Sequence, residues 1–222
     1  MAEKKKRSPL SFIVGLIVIS LSVTGIISII STVTDSLSRQ AKEKELLRYE
    51  EYEKFIAPVI MYDPDTFDDI TMADTNQLIS IAIWSILDSD LEPDAYEYAE
   101  GGMLIPEKDV EEKFRSLFGS EVSLTHTTVD GGGIYFSYSE SNSAYVIPIT
   151  GVTPVYTPKV TAATERGGTV ILTVGYLAST DWVQDGEGNM VAPEPAKYMK
   201  ITLGENSDGS LYLRALQSAE KN

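Results

Sequence analysis

Residues 169–177, TVILTVGYL, decide the fold class that this sequence predicts. Val170, Leu172 and Val174 fall on one face of an extended chain, because successive side chains of a strand point to opposite faces. The β-branched residues in this stretch also favour a strand. Two later segments alternate in the same way, one through Met199, Ile201 and Leu203 and the other through Leu211, Leu213 and Ala215. These patterns predict a sheet with one face against a core.

The rest of the chain beyond Ser120 also predicts strands. The segments rich in Val, Ile, Thr and Tyr are SLTHTTV, GIYFSY, AYVIPI, PKVTAAT, KYMKITL and SLYLRAL. Turn residues at 131–133, 139–143, 165–168 and 205–209 predict hairpin connections, which make the sheet antiparallel. The insertion 179–196 is a long excursion between two strands, with its tip at 185–189.

A helix is predicted at 75–87, before the strands. Asp74 and Gln77 have the spacing of a capping box at its start. The segment TNQLISIAIWSIL has little polar face, so we expect this helix to be buried on most sides. Its apolar run is too short to cross a membrane.

A second helix is predicted between Pro106, in its first turn, and Gly119, which ends it. One face carries an amphipathic stripe, formed by Val110, Phe114, Leu117 and Phe118. Two helices followed by a series of strands predict an α+β fold, with both helices on one face of a curved antiparallel sheet.

Residues 10–33, LSFIVGLIVISLSVTGIISIISTV, predict a transmembrane helix. At ~1.5 Å per residue this uncharged stretch would span about 36 Å, enough to cross a hydrocarbon core of about 30 Å. A cleaved signal peptide is the alternative, because residues 4–7 supply a basic start. The apolar run is long for such a peptide and residues 31–35 make a poor cleavage site. We therefore interpret 10–33 as an anchor whose partner is the lipid bilayer.

The basic tail at residues 1–9 is predicted to lie in the cytoplasm. Lys and Arg close to the membrane favour the inner face, but the two flanks nearly tie, since four basic residues also follow the anchor within 39–48. The first cluster is denser and nearer the bilayer, and a long C-terminal domain can cross largely regardless of its charge. The sequence thus favours a single-pass cell-membrane protein with an extracytoplasmic C-terminal domain, and the reverse orientation stays open.

Residues 34–56 predict a helical stalk, and residues 57–222 form the domain that it carries. The stalk has no Gly or Pro and is rich in Glu, Lys, Arg and Leu. One face carries a short apolar stripe, formed by Leu46, Tyr49, Tyr52 and Ile56. This stripe either packs on the chain's own domain or supports self-association. Pro58 and Pro64 are expected to close the stalk.

The chain is acidic, with a formal net charge of −15 at pH 7. Residues 57–112 contain 15 Asp or Glu and one base, Lys108. A field of this sign repels nucleic acid and anionic lipid and attracts cations or basic partners, so we expect no nucleic-acid partner. The sequence has no Cys, which excludes disulfides, thiol catalysis and Cys-ligated metal centres.

The domain resembles the cystatin-like or NTF2-like cone, and the chain resembles membrane-anchored extracytoplasmic proteins of Gram-positive bacteria. The segments that carry the resemblance are FIAPVIMYDP, NQLISIAIW, LIPEKDVEEKFRSLFG, TVILTVGYL and EPAKYMKITL. These are core and turn signatures rather than a catalytic motif, so the resemblance implies a fold and a location, and no activity.

Four aspartates crowd together where the chain enters the domain: Asp63, Asp65, Asp68 and Asp69. They are weak candidates for a metal site. The run departs from a calcium-binding loop, because Pro64 interrupts it, no Gly supplies the sharp turn and Asp74 stands where that loop has Glu. The alternative is that these acids form turns and caps near the positive end of a helix.

No catalytic motif stands out. The one histidine, His126, is predicted to be an ordinary strand residue, and no G-x-S-x-G elbow, Walker A or G-x-G-x-x-G motif accompanies it. Tyr96, Tyr98 and Trp182 are weak candidates for ligand binding, because aromatic residues beside acidic loops can hold a sugar or a peptide; partly buried anchors are the alternative. We expect no cofactor.

These observations favour a non-enzymatic envelope protein whose outer domain binds or scaffolds a partner, either a second copy or another envelope protein. Two alternatives stay open. A small-ligand sensor would need an apolar pocket between the second helix and the sheet, and a hydrolase would need a cleft with carboxylates of raised pKa.

Overall fold

The computed structural model describes residues 40–89, 95–99, 101–148 and 154–220. The predicted tail at 1–9 and the predicted anchor at 10–33 lie outside these ranges. Among the residues that are described, none of the helices combines the length and the apolar character needed to cross a membrane. The chain divides into two units between Arg48 and Tyr49, and the architecture below is that of the second unit.

Helix α1 covers 40–62, and its part after Tyr49 belongs to the domain. One face of this part enters the core through Tyr52, Ile56, Val59 and Ile60. The apolar stripe predicted on the stalk therefore packs on the chain's own domain at Tyr52 and Ile56. This is one of the two predicted roles of the stripe, the other being self-association.

The predicted end of the stalk at residue 56, closed by Pro58, is wrong. Pro58 lies inside α1 and is buried, although it has no N–H to donate to the carbonyl one turn earlier. The burial of Val59 and Ile60 outweighs that loss. The helix ends where Asp63 adopts a left-handed conformation, with φ of 56°, and donates its N–H to Val59 O at 2.9 Å.

Helix α2 (Thr75–Leu87) and helix α3 (Glu107–Phe118) confirm the two helices predicted within the domain. Asp74 caps α2 by accepting from Asn76 N at 2.9 Å. The predicted capping box is only half formed, because Gln77 turns away from Asp74. Its side chain donates to Asp65 Oδ2 at 2.9 Å and accepts from Asp65 N at 3.1 Å. A short 3-10 helix, Ile70–Met72, precedes α2.

The strands before residue 150 form a five-stranded antiparallel sheet. They are β1 (Tyr98–Ala99), β2 (Gly102–Pro106), β3 (Val129–Asp130), β4 (Tyr135–Ser139) and β5 (Ala144–Ile147), in the order β1-β2-β5-β4-β3. The predicted hairpins at 131–133 and 139–143 join β3 to β4 and β4 to β5, which confirms them.

The later strands form a four-stranded antiparallel sheet and a separate two-stranded ribbon. The strands are β6 (Tyr156–Arg166), β7 (Thr169–Ala178), β8 (Val183–Gln184), β9 (Met190–Val191), β10 (Lys197–Glu205) and β11 (Leu211–Ala219). The four-stranded sheet has the order β11-β10-β7-β6, so the segment TVILTVGYL lies in an inner strand. Strands β8 and β9 pair only with each other, within the predicted excursion 179–196.

The α+β class and the antiparallel pairing are confirmed, but three details of the prediction are wrong. Strands β1 and β2 lie between α2 and α3, so the strands do not all follow the two predicted helices. The described strands divide among two main sheets and a ribbon rather than one curved sheet. The segment SLTHTTV is irregular up to Thr128, and only its last residue, Val129, lies in a strand. His126 is therefore not a strand residue.

One hydrophobic core joins the two sheets and the helices. Side chains of α1, α2, α3 and both sheets belong to a single buried cluster, whose largest fully buried members include Tyr145, Tyr176, Phe114, Phe118 and Phe136. Both outer strands of the four-stranded sheet are partly covered. Glu53 Oε1 accepts from Val160 N of β6 at 2.8 Å, and Phe67 exchanges two backbone hydrogen bonds with Leu216 of β11.

Candidate functional site

An apolar groove of about 420 Å³ lies over the five-stranded sheet at the C-terminal end of α2. Nine of its ten lining residues are apolar or aromatic, and the tenth is Asp88: they are Met61, Trp84, Leu87, Asp88, Tyr98, Met103, Ile134, Ile147, Pro148 and Pro154. A ligand or side chain that is mostly apolar and carries one polar or cationic group would fit this space and its lining.

The floor of the groove is a row of side chains that crosses three strands. Tyr98 of β1 pairs with Met103 of β2, and Met103 pairs with Ile147 of β5. Directly paired residues of an antiparallel sheet point to the same face, so these three side chains stand side by side. Ile147 is buried, whereas 59% of Tyr98 is exposed, so the row runs from the core out to solvent.

Trp84 of α2 forms a fixed wall. Its indole Nε1 donates to Gly131 O at 2.9 Å, and its ring meets the ring of Phe136 edge-on, with centroids 5.3 Å apart. Gly131 is required there, because a Cβ at this position would come within 2.5 Å of the Phe136 ring. The orientation of the indole is thus set by the β3–β4 turn.

The β3–β4 turn is held in turn by α1 and α2. Ser80 Oγ lies 2.8 Å from Asp130 O, and the Tyr62 hydroxyl donates to the same carbonyl at 3.1 Å. Burial raises the pKa of Tyr62 above its ordinary value, which keeps the hydroxyl protonated as a donor. The Asp130 carboxylate accepts from Gly132 N and Gly133 N, both at 2.9 Å. The helices therefore hold the start of the turn, and the Asp130 carboxylate holds the turn's own backbone.

The structure does not bring the three predicted aromatic candidates together. Tyr98 lines the groove, while Tyr96 lies in a shallow site between α2 and α3. Burial, and then the neighbouring Asp109, raise the pKa of Tyr96 to about 12. Trp182 is half-buried and precedes β8. Only Tyr98 belongs to the groove.

The four predicted aspartates have separate partners. Asp63 pairs with Lys197, with Oδ1 and Oδ2 at 2.6 and 2.7 Å from Nζ. Asp65 bonds Gln77, and Asp68 accepts from Gln217 at 2.5 Å. Asp69 caps the 3-10 helix, and hydrogen bonds from the Thr71 side chain and backbone lower its pKa. In the described ranges no group of three or more His, Cys, Asp or Glu is arranged to hold a metal ion.

His126 belongs to a packed polar network that sequence reasoning missed. Its Nε2 lies 3.2 Å from Glu111 Oε1, its Nδ1 lies 3.1 Å from the Tyr145 hydroxyl, and its ring stacks on Tyr138. The Tyr138 hydroxyl donates to the carboxylate of Glu107. Glu107 and Glu111 stand one turn apart on α3, and this spacing was the available signal.

The electrostatics of this network favour a structural role. The hydrogen bond to Glu107 raises the pKa of Tyr138 to about 12, and burial raises that of Tyr145 to about 12. Both phenols therefore stay protonated near neutral pH and cannot act as bases. Only 14% of the His126 side chain is exposed. The network ties α3 to the irregular segment and to the five-stranded sheet.

Comparison of the chain with family models, curated proteins and solved structures returns no match.

Proposed function

We propose that this chain is a single-pass membrane protein of a bacterial envelope whose acidic outer domain binds a partner protein without catalysing a reaction. The apolar groove carries the proposal. Nine apolar or aromatic residues line an open space there, and one hydrogen bond and one ring contact fix the orientation of Trp84 in its wall. A preformed apolar site with few polar groups is typical of a binding surface.

The anchor at 10–33 supports the proposed location, since its length and lack of charge suit a membrane-spanning helix. The basic cluster at 4–7 is denser and nearer the bilayer than the basic residues at 39–48, which supports a cytoplasmic tail at 1–9 and an extracytoplasmic domain. Residues 40–62 are helical, which supports a helical stalk at 34–56 as part of this proposal.

The non-enzymatic role is supported by the chemistry of the groove. Asp88 is the one ionisable acid or base among its lining residues besides the phenol of Tyr98. General acid–base catalysis needs at least one group with a pKa tuned to its task, and usually a second group that orients it. The His126 network lies elsewhere, and both ring nitrogens of His126 have partners within the protein.

A relationship to the NTF2-like or cystatin-like cone is part of this proposal. The packing of helices against antiparallel sheets around one core supports it, although β1 and β2 lie between α2 and α3 in the chain. The pocket expected for a small-ligand sensor lies between the second predicted helix, α3, and the sheet. The groove lies instead between α2 and the five-stranded sheet, and none of the described residues that line it belongs to α3.

Binding of a small apolar ligand is the second candidate function. It is favoured by the volume of the groove, about 420 Å³, since ligand sites span about 300–1,000 Å³.

Site-specific photo-crosslinking in native membranes tests the proposal. A photoreactive amino acid at Tyr98, on the groove, is expected to give a defined protein adduct. The same amino acid at Tyr135, which is 66% exposed but outside the groove lining, serves as the matched control.

The composition of the adduct identifies the partner as another envelope protein, a second copy of this chain or a small ligand. An adduct with a different protein supports an envelope partner, and an adduct of doubled mass identifies a second copy. A small molecule retained in native mass spectrometry, without a protein adduct, would transfer the proposal to the ligand-binding candidate. Equal protein adducts at Tyr98 and Tyr135, or no adduct at either together with no retained small molecule, would refute binding at the groove.

A further inference from the structure

The groove lies at an open edge of the five-stranded sheet. Among the described residues β1 is paired on one side only, to β2, and both of its residues are exposed. Tyr98 is therefore both a residue of the edge strand and the outer end of the row Tyr98–Met103–Ile147. A strand added beside β1 would place the residue opposite Tyr98 next in this row, because paired residues share a face.

The alternating side chains of an added strand would also suit the groove. Successive side chains of a strand alternate between faces, so residues two apart would point toward the groove side and their neighbours away from it. Main-chain hydrogen bonds then supply affinity, and the groove selects the alternate side chains. The outer strands of the four-stranded sheet are less suited to strand addition. The N–H of Val160 on β6 already donates to Glu53, and the backbone of Leu216 on β11 is already hydrogen-bonded to Phe67.

The charge at the rim of the groove selects a cation. Asp88 is exposed and forms the C-cap of α2. The last turn of α2 contains no basic residue, so the negative end of the helix and the carboxylate stand together without a cation in that turn. A lysine or arginine of a bound segment would complement both.

The net charge of the chain argues against the other occupants. A second copy carries the same charge of −15 and would be repelled, and an anionic lipid surface would be repelled as well. We infer that the groove receives an extended segment of a partner protein, which adds to β1 as a strand and places an apolar side chain beside Met103 and a basic side chain near Asp88. This inference rests on the proposed function and names its partner chemistry.

The test uses the full chain in neutral detergent with Trp182→Phe, which leaves Trp84 in the groove wall as the only tryptophan. The probe is a short synthetic peptide that alternates threonine and valine around a central leucine flanked by lysines. We expect it to shift the emission of Trp84. A peptide with glutamates in place of the lysines is expected to bind about tenfold more weakly, since it reverses every charge interaction with the rim.

Two further changes test separately the main-chain hydrogen bonds to β1 and the ion pair with Asp88. N-methylation of alternate peptide amides is expected to weaken binding about tenfold, because each methyl group removes a main-chain hydrogen-bond donor from the added strand. Asp88→Asn is expected to weaken the lysine peptide about threefold to fivefold, the effect of one exposed ion pair. Glu187→Gln, at the exposed tip of the ribbon, removes the same charge away from the groove and is the matched control.

The outcomes distinguish this inference from the proposed function. If Tyr98 forms a protein adduct but N-methylation and Asp88→Asn leave peptide affinity unchanged, the inference fails and the proposed function stands. Equal binding of the glutamate peptide overturns it as well. If Tyr98 forms no adduct and no peptide shifts the emission of Trp84, both fail.

Discussion

The two main sheets of this domain are built in opposite ways. The four-stranded sheet has strands of 9 to 11 residues, and a helix side chain or an adjoining segment covers part of each outer strand. The five-stranded sheet has strands of 2 to 5 residues, and no described residue pairs with the outer side of β1 beside the groove. Long strands with covered edges favour stability and resist association, whereas an open edge offers a surface for pairing.

From this contrast we interpret the four-stranded sheet as the scaffold of the domain, and the β1 edge of the five-stranded sheet with its groove as the binding surface. The row that crosses β7 and β10 lies in the core, with Leu172 and Ile201 paired and both fully buried. The row that crosses β1, β2 and β5 starts in the core and ends at exposed Tyr98. Binding residues are commonly found on short elements held by a rigid frame, and this domain follows that rule.

The largest effect is expected in the four-stranded sheet. Leu172→Ala removes a fully buried side chain from inner strand β7 and is expected to lower the free energy of unfolding by about 2–5 kcal/mol. Ile171→Ala, the adjacent residue with 41% exposure, is the matched control. Its expected cost is under about 1 kcal/mol, because it leaves no cavity. Chemical denaturation measures both, and equal losses would mean that the two faces of β7 are not differently packed.

The scaffold was the part of the fold that the sequence predicted best. Alternation in TVILTVGYL and the turn glycines determine the strands locally, and Asp74 and Gly119 mark ends of α2 and α3. The continuation of α1 through Pro58 could not be predicted from the neighbouring sequence, because it depends on the burial of Val59 and Ile60 in the folded domain. The division of the strands into two sheets is likewise a tertiary property.

A smaller effect should distinguish two buried tyrosine hydroxyls, one in each sheet. The Tyr145 hydroxyl bonds His126 Nδ1, whereas the Tyr176 hydroxyl is buried without a hydrogen-bond partner among the described residues. Tyr145→Phe is expected to cost about 1 kcal/mol of unfolding free energy. Tyr176→Phe is expected to be neutral or stabilising, because it removes an unsatisfied group and keeps the ring beneath Lys197. Thermal or chemical unfolding of both variants checks this, and a larger loss for Tyr176→Phe would reveal a hidden partner.

The groove was largely beyond sequence reasoning. Its lining comes from α1, α2, four positions on or beside the strands of one sheet, and two prolines, and most of these residues look like core residues in the sequence. Only Tyr98 was a candidate beforehand, because it is an aromatic residue in an acidic loop. The pair of Asp63 with Lys197, 134 positions apart, was equally hidden, since only the fold brings the two together.

The smallest effect is expected in the ribbon, the excursion that leaves the four-stranded sheet between β7 and β10. Asp185 accepts from Glu187 N at 2.9 Å and Asn189 N at 2.8 Å, and hydrogen bonds from Asn189 lower its pKa. A lowered pKa means that these bonds persist above the ordinary pKa of aspartate and are lost as pH falls through the lowered value. Asp185→Ala should therefore lower the protection of the amides of residues 187 and 189 at neutral pH, measured as hydrogen exchange relative to the intrinsic rate at the same pH. Asp208→Ala removes the matching carboxylate of the β10–β11 turn, where Ser210 lowers its pKa, and should leave the ribbon unchanged. Exchange that rises throughout both sheets in Asp185→Ala would show that the ribbon is part of the scaffold rather than an appendage to it.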